Sequence, residues 1–338
     1  MPYTEQYDKA KVLAEWANPT YIKEIAPGVT LKKLVFNKAD GTQLFGSNQY
    51  ILALVVDQSV ADVRFAVAFS GNGLPSAKTS NRAKARNSLA AINGTMCGDC
   101  PQATYDKAIL VTDPLVVPSW ASTLVPNKRN SMDYIRISNT AGEKVVEVPN
   151  YNSGLGTKRS DRRTGVVVID ANGKLRLEST YGKDFDYESK IAAYDVMASG
   201  PMLIDNSAIH NMAANDFNDK REPRTAIAVD ADGKVIMFTI DGRRNAGGFA
   251  YGMTLHTELA KFCKWLNIKY AVNLDGGGST TMYLREVPAD YTYDYTPSVG
   301  NGVINAPCDK AANGDRVERS NYISLLLLDA ESTPLLPQ

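Results

Sequence analysis

The sequence predicts an α+β fold: mixed, largely antiparallel sheets with a few packed helices, in a single main domain. Two observations predict it. Three pairs of short apolar runs are joined by Asn139-Thr140-Ala141-Gly142, Ala171-Asn172-Gly173 and Asp230-Ala231-Asp232-Gly233, the turn chemistry of β-hairpins. Helical spacing, by contrast, is confined to a few short stretches, and from Ser131 onward strand patterns dominate.

Taken in order, Glu5 to Trp16 has helical spacing at Tyr7, Val12, Leu13 and Trp16 and stops near Asn18-Pro19. Strand patterns follow at Val29–Phe36, Gln49–Val56 and Val63–Phe69. A polar loop, Ser70 to Ser80, leads to a short helix at Arg82–Ala90, which feeds Ala91-Ile92-Asn93-Gly94. Pro114–Lys128, with three prolines, reads as loop with short extended pieces. The first hairpin joins Asp133–Ser138 to Lys144–Val148, the second Gly165–Asp170 to Lys174–Glu178, and the third Thr225–Val229 to Lys234–Ile240. The second and third resemble each other, each with Arg-Thr, an apolar run and Asp-Ala-x-Gly-Lys, a pattern compatible with duplication or chance. Asp230-Ala231-Asp232-Gly233 is too short for a calcium loop.

Thr254 is placed to cap a helix running to Asn267, with Leu255, Leu259, Phe262, Cys263 and Leu266 on one stripe. That helix leads into a strand at Tyr270–Asn273. Tyr322–Leu328 closes the fold as a buried strand. The expected organisation is 1–80 as N-terminal helix and strands packed on the main domain, 81–330 as that domain, and 331–338 as a tail.

Lys+Arg and Asp+Glu are both 37 among 338 residues, so no net positive charge argues for nucleic acid or an anionic membrane as partner. No apolar run reaches the roughly 18 residues of a membrane-spanning helix. Met1-Pro2-Tyr3-Thr4-Glu5 is not a signal peptide, which fits either a cytoplasmic chain or one whose leader has been removed. Of four cysteines, Cys97 and Cys100 have C-x-x-C spacing. With two histidines and no second cysteine pair, zinc is disfavoured, leaving a tight disulfide or two free thiols ahead of a redox motif, which would want a helix starting there. Cys263 belongs to the apolar helix stripe.

The stretch from Asn273 to Tyr283 sets two short apolar runs around Asp275, Gly276-Gly277-Gly278 and Ser279-Thr280-Thr281. Three glycines cost more chain entropy than a hairpin turn requires, and such a run can bring backbone N–H groups against a ligand beside a fixed carboxylate. No G-K-[ST] follows, so it is not a nucleotide P-loop. Because hairpin strands run antiparallel, Arg224-Thr225 and Asp241-Gly242-Arg243-Arg244 should share one end of the sheet. Cleavage of a sugar–phosphate bond needs cations or amides for the phosphate and a carboxylate for the anomeric centre. Arg224, Arg243, the three glycine amides, Asp241 and Asp275 supply those parts. Glu258, in the first turns of its helix, reads as a dipole partner before a catalyst.

Arg224-Thr225-Ala226-Ile227, Asp241-Gly242-Arg243, Gly252-Met253-Thr254-Leu255 with Glu258-Leu259-Ala260, and Asn273-Leu274-Asp275-Gly276-Gly277-Gly278-Ser279-Thr280-Thr281 occur in this order. Together they resemble the phosphodiester glycosidase domain family, whose members include the enzyme that removes N-acetylglucosamine from a sugar phosphodiester and bacterial relatives. Ala91-Ile92-Asn93-Gly94, Gly200-Pro201, Asn305-Ala306-Pro307 and Glu318-Arg319 resemble the family's other landmarks. The likeness covers roughly residues 85 to 328. Two departures stand out: Thr95-Met96-Cys97 follows Asn-Gly where the family carries glycine and aromatics, and the insert between Pro307 and Glu318 is long.

The resemblance implies a hydrolase that cleaves a sugar-1-phosphodiester on the sugar side. It implies Asp275 and Asp241 as acid/base or nucleophile, with Glu258 in reserve. Arg224 with Thr225, and Arg243, would hold the phosphate. Gly276, Gly277, Gly278, Ser279 and Thr280 would orient the diester, and Asn93-Gly94, Asn305 and Arg319 would bind sugar or phosphate oxygens. No cofactor is called for, though a carboxylate-bound divalent cation is compatible. The implied partner is a glycan phosphodiester. The resemblance suggests an exported protein (periplasmic, cell-surface or secreted), with which a Cys97–Cys100 disulfide would agree. Two other classes fit the same residues: a glycan- or cell-wall-binding module without catalysis, and a phosphodiesterase cutting the phosphate–alcohol bond.

Overall fold

The computed structural model describes residues 5–37, 41–69, 77–99, 109–110, 129–131, 134–138, 144–148, 163–243, 249–295 and 301–332. It has the expected mixed α+β fold, with antiparallel sheets and a few packed helices. The Pro114–Lys128 loop lies outside the described residues, as do Cys100, the side chain of Cys97 and Arg244.

The strands run β1 (Tyr21–Ala26), β2 (Val29–Phe36), β3 (Gln49–Val56), β4 (Arg64–Phe69), β5 (Ala90–Asn93) and β6 (Cys97–Asp99). Then come β7 (Ile109–Leu110), β8 (Arg129–Ser131), β9 (Ile135–Ser138), β10 (Lys144–Val148), β11 (Gly165–Ile169) and β12 (Leu175–Ser179). β13 (Asp195–Ser199), β14 (Met202–Asp205), β15 (Ala208–Ile209), β16 (Arg224–Asp230), β17 (Val235–Ile240) and β18 (Ile268–Asn273) follow. β19 (Met282–Leu284), β20 (Asp309–Lys310), β21 (Arg316–Val317) and β22 (Ile323–Leu328) complete the order. The chain folds into two compact units, one of residues 1–62, 202–282 and 287–319, the other of 63–201, 283–286 and 320–338.

The first unit holds an eight-stranded sheet in the order β1-β2-β3-β17-β16-β18-β14-β15. Every neighbour is antiparallel. β17 is buried along its whole length, which is why its sequence is apolar on both faces, broken only by the buried Thr239. One face carries Leu34, Phe36, Ile51, Ala53, Ala226, Ala228, Ile236 and Phe238 into a core shared with Val12 of the helix Glu5–Ala17 and with Leu255, Leu259 and Phe262. Phe238 meets Phe262 edge-on at 5.8 Å. Each large side chain so buried contributes roughly 1.5–3 kcal/mol of transfer free energy.

The helix expected from Thr254 to Asn267 is there with an altered start. It opens as a π-turn, Leu255–Leu259, and continues as the α-helix Ala260–Trp265. Thr254 occupies the N-cap but its side chain makes no cap bond. The Glu258 carboxylate caps instead, accepting the Thr254 N–H at 2.9 Å. The wider turn moves the first backbone bond to Leu259 N–H on Thr254 O, 3.0 Å.

The second unit holds a six-stranded sheet, β12-β11-β13-β9-β10-β7, and a four-stranded sheet, β19-β5-β22-β4. Asp195, at the start of β13, accepts N–H bonds from Val67 of β4 (3.0 Å) and Ser138 of β9 (3.2 Å), so one buried carboxylate pins the two sheets. The helix expected at Arg82–Ala90 sits earlier, at Thr79–Ala85. Ala90 and Ala91 fit either element, and pairing of β5 with β22 makes them strand. Within the described residues, no helix is long and apolar enough to cross a membrane.

Candidate active site

Antiparallel pairing fixes the candidate site. Arg224 lies opposite Ile240 across β16–β17, so Arg224 and Asp241 do share one end of the hairpin. β18 runs beside β16 with Asn273 opposite Ala226, which brings Asp275 and its glycines to the same end. Two backbone bonds join the turn to β16 and its approach: Leu274 N–H to Thr225 O and Gly277 N–H to Pro223 O, both 2.8 Å.

The glycines are there for close approach of chain to chain. A Cβ on Gly276 would stand 2.6 Å from Pro223 O, one on Gly242 2.7 Å from Pro223 N, and one on Gly252 2.3 Å from Glu222 O. The segment 222–224 is therefore gripped by glycine backbone from three directions. The amides expected to face a ligand are partly committed: Gly276 N–H bonds the Asp275 carboxylate at 2.9 Å, and Gly277 N–H is the bond to Pro223. Gly277 to Ser279 forms a 3-10 turn, with Gly277 at φ +60°.

The arginines divide into two kinds. Arg224 is 2% exposed, and its guanidinium donates to three carbonyls: Met253 O (2.9 Å), Phe217 O (2.8 Å) and Lys220 O (2.6 Å). Burial brings its pKa down to about 10. It holds backbone together where the sequence suggested a phosphate contact. The side chains of Arg243 and Arg319 are 47% and 46% exposed and flank the turn. A Cβ on Gly277 would meet the Arg243 guanidinium at 3.4 Å, and one on Gly278 would fall 2.3 Å from Arg319 Cζ. Arg243 has φ +53°, a left-handed backbone that aims its side chain back over the glycines.

Each exposed arginine is held by an acid that the motifs did not single out. Glu222 pairs with Arg243 Nε, and Asp309 takes Arg319 Nε at 2.7 Å and its terminal nitrogen at 3.0 Å. Both pairs raise the arginines' pKa. Cys308, a free thiol, lies within electrostatic reach of both guanidiniums, and burial lifts it to about 11.

Asp275, half-buried at the start of the glycine turn, lies within reach of the Arg319 charge. Burial raises its carboxyl above the ordinary aspartate value; bonds from Ser279 and Gly276 and the charge of Arg319 pull partly the other way. Asp241 is 4% exposed and braces the next segment, accepting the Ala306 N–H at 3.0 Å and Asn305 Nδ2 at 3.3 Å. Asn305 also donates to Thr280 O (3.0 Å) and accepts the Met282 N–H (2.7 Å), so its amide is a structural bridge. Thr225, Ser279 and Thr280 are buried beside it. Glu258 is bound by Arg221 Nε at 2.9 and 3.1 Å in addition to its cap bond, the structural reading that the sequence favoured.

Asn93 and Gly94 belong to the second unit, at the end of β5. Asn93 is fully buried, and its Nδ2 lies 3.4 Å from Gly94 O. Gly94 donates to Ile323 O at 2.8 Å, and a Cβ there would lie 2.5 Å from Ile323. Among the described residues, no cluster of three or more His, Cys, Asp or Glu could hold a metal ion.

An exposed arginine pair flanking a turn that carries a half-buried acid is suited to anionic esters. Residues 127–322, more than half of the 338, match the phosphodiester glycosidase family, and the chain belongs to it. Mouse N-acetylglucosamine-1-phosphodiester alpha-N-acetylglucosaminidase is 36% identical over 132 residues, 39% of this chain and 21% of that protein. The human protein of the same name is 25% identical over 132 residues, with the same coverage. The alignments thus span about a fifth of the length of these relatives. The catalytic domain of the zebrafish protein of that name, auto-inhibited by its pro-peptide, superposes with a TM-score of 0.54 at 19% identity, covering 90% of this chain and 84% of that one. That likeness is one of fold.

Proposed function

We propose that this chain hydrolyses a sugar-1-phosphodiester, such as an N-acetylglucosamine-1-phospho-sugar, on the sugar side. The observation that carries the reading is the exposed Arg243 and Arg319 guanidiniums flanking the Gly277–Gly278 turn, with the half-buried Asp275 at its start within reach of the Arg319 charge. Planar guanidiniums suit the phosphate oxygens and stabilise charge as it builds on the leaving group. That group departs as a phosphomonoester anion, so the glycosidic carbon–oxygen bond breaks without a strong acid on the phosphate side. A carboxyl raised by burial is suited to general-base work, and Asp275 takes the proton of the water that attacks the anomeric carbon. The new carbon–oxygen bond leaves a free sugar, and the electron pair of the broken bond stays on the phosphate. Asp241, Asn305 and Arg224 position the turn, the 305–306 segment and the 222–224 segment.

The test offers N-acetylglucosamine-1-phospho-diester substrates to wild type and to Asp275→Asn, Arg243→Ala and Arg319→Ala. Turnover in wild type, lost in Asp275→Asn and weakened mainly in KM by the arginine variants, is the expected outcome. Full activity in all three variants sinks the site assignment. Affinity without turnover in wild type would favour a binding module.

A further inference from the structure

The sheet face opposite the helical core of the first unit carries a cavity of about 350 Å³. It is lined by Tyr21, Lys33, Val35 and Tyr50 from β1, β2 and β3, by Thr20 and Asn37 beside them, and by Thr292 and Asp294. Strand register builds its floor: Tyr21 lies opposite Lys33, and Val35 opposite Tyr50. Leu34 and Phe36, between them in sequence, face the core on the other side, as period-two alternation demands.

The chemistry of the lining selects its ligand. Lys33 is buried, and Asp294 neutralises it at 2.8 Å, while Thr292 O accepts from the same ammonium at 2.9 Å. A pocket whose one cation is already matched by its one anion has no surplus charge for a phosphate or an acidic peptide. It still offers an ammonium, a carboxylate, an amide and hydroxyls. Beside these stand the half-buried rings of Tyr21 and Tyr50. Tyr21 is fixed by an edge-on contact to Tyr291 at 5.4 Å and by a hydroxyl bond to Asp290 at 3.0 Å. Aromatic side plus paired donor and acceptor matches a sugar ring, which has apolar C–H faces and vicinal hydroxyls at its edge. The volume is at the small end of the roughly 300–1,000 Å³ typical of ligand pockets, the size for one or two sugar units.

The cavity is joined to the acid-bearing end of the sheet. Tyr50 O accepts the Asp241 N–H at 2.9 Å. Tyr291, Tyr293 and Tyr295 continue the edge-to-face ladder at 5.1 and 5.7 Å. Tyr291 and Tyr295 bond Ile304 O and Val303 O, both at 2.8 Å, in the segment leading to Asn305. We propose that the cavity bounded by Tyr21, Lys33, Tyr50 and Asp294 is a binding site for a neutral saccharide unit, separate from the Asp275 turn. It does not depend on the hydrolytic reading.

Saturation-transfer NMR and calorimetry against neutral di- and trisaccharides (chitobiose, chitotriose, mannobiose, cellotriose) test it with the whole chain. At least one should bind at concentrations up to about 10 mM. Tyr50→Ala and Asp294→Asn should each weaken it about tenfold or more, while Asp275→Asn leaves it unchanged. Tyr21→Ala, on the exposed edge strand, serves if Tyr50→Ala does not fold. Absence of binding across the panel, binding that survives these pocket variants, or binding lost in Asp275→Asn would overturn the proposal. The same panel measured on Asp275→Asn separates this outcome from failure of the hydrolase reading, which concerns turnover of a charged diester.

Discussion

The β11–β12 and β16–β17 hairpins begin from nearly the same sequence and end in different roles. Their turns are alike in detail. Asp170 accepts the N–H groups of Asn172 and Lys174 at 2.8 and 2.9 Å; Asp230 accepts those of Asp232 and Lys234 at 2.9 Å each. Gly173 and Gly233 take φ +74° and +82°. The open ends differ. At β11–β12, one backbone and one side-chain bond close the mouth: Thr180 N–H to Thr164 O at 2.9 Å and the Thr180 hydroxyl to Arg163 O at 2.7 Å. At β16–β17, Arg224, Asp241 and the glycine turn after β18 meet there instead. The neighbouring strand decides: β13 brings Asp195 beside the turn end of β11, whereas β18 brings Asp275 beside the open end of β16.

Asp195 is buried and Asp275 half-buried, and desolvation raises both carboxyls. A perturbed carboxyl therefore does not by itself mark a site. Asp195 bonds two strand amides and pins two sheets, while Asp275 sits at the glycine turn within reach of the exposed Arg319.

The largest effect that would break this contrast concerns the two acids. Asp275→Asn should lower turnover by about 10²–10⁴-fold without lowering the melting temperature, because an asparagine Oδ1 can still accept the Gly276 N–H. Asp195→Asn should leave kcat/KM near wild type in a pH range where the protein is folded. Comparable activity losses in both would dissolve the distinction.

Next in size is Arg224→Ala, which orphans three carbonyls and should cost about 3 kcal/mol or more in urea unfolding. Arg243→Ala, at an exposed site, should cost well under 1 kcal/mol while weakening substrate binding. Asp195 gives a pH signature. Its folded pKa, about 7, lies above the ordinary aspartate value, so the folded state binds the proton more tightly. Its contribution is fully present below about pH 4 and is lost as pH rises through 7. Stability followed from pH 5 to pH 8 should fall in wild type and fall less in Asp195→Asn; equal slopes would count against it. The smallest effect returns to the turns. A Cβ at Gly233 meets nothing within 4 Å, so Gly233→Ala costs only the left-handed strain, about 1 kcal/mol. Gly173→Ala also drives its Cβ to 2.4 Å from that of Arg64 and should melt lower.

What the sequence showed, and what it hid, follows the same division. β2 and β3 fall on the expected residues, Val29–Phe36 and Gln49–Val56, because apolar runs and turn residues are local signals. β1, β13 and β14 were not anticipated although Pro27-Gly28 and Gly200-Pro201 punctuate them, because runs this short are assigned as strand only through pairing. Within the site, Asp275, Arg243 and Arg319 were legible as motif residues. Glu222 and Asp309 were not, since each meets its arginine across 21 or 10 residues of chain with no periodicity to betray it. Arg224 was read as a ligand contact because guanidinium chemistry is visible in sequence, whereas the three carbonyls that occupy it are brought by folding.

The central claim, water attacking the sugar rather than the phosphorus beneath the Arg243–Arg319 pair, is tested most directly by turnover of an N-acetylglucosamine-1-phospho-diester in oxygen-18 water. Mass spectra taken before exchange should place the label in the released sugar and leave the phosphomonoester unlabelled. Label in the phosphate would contradict it.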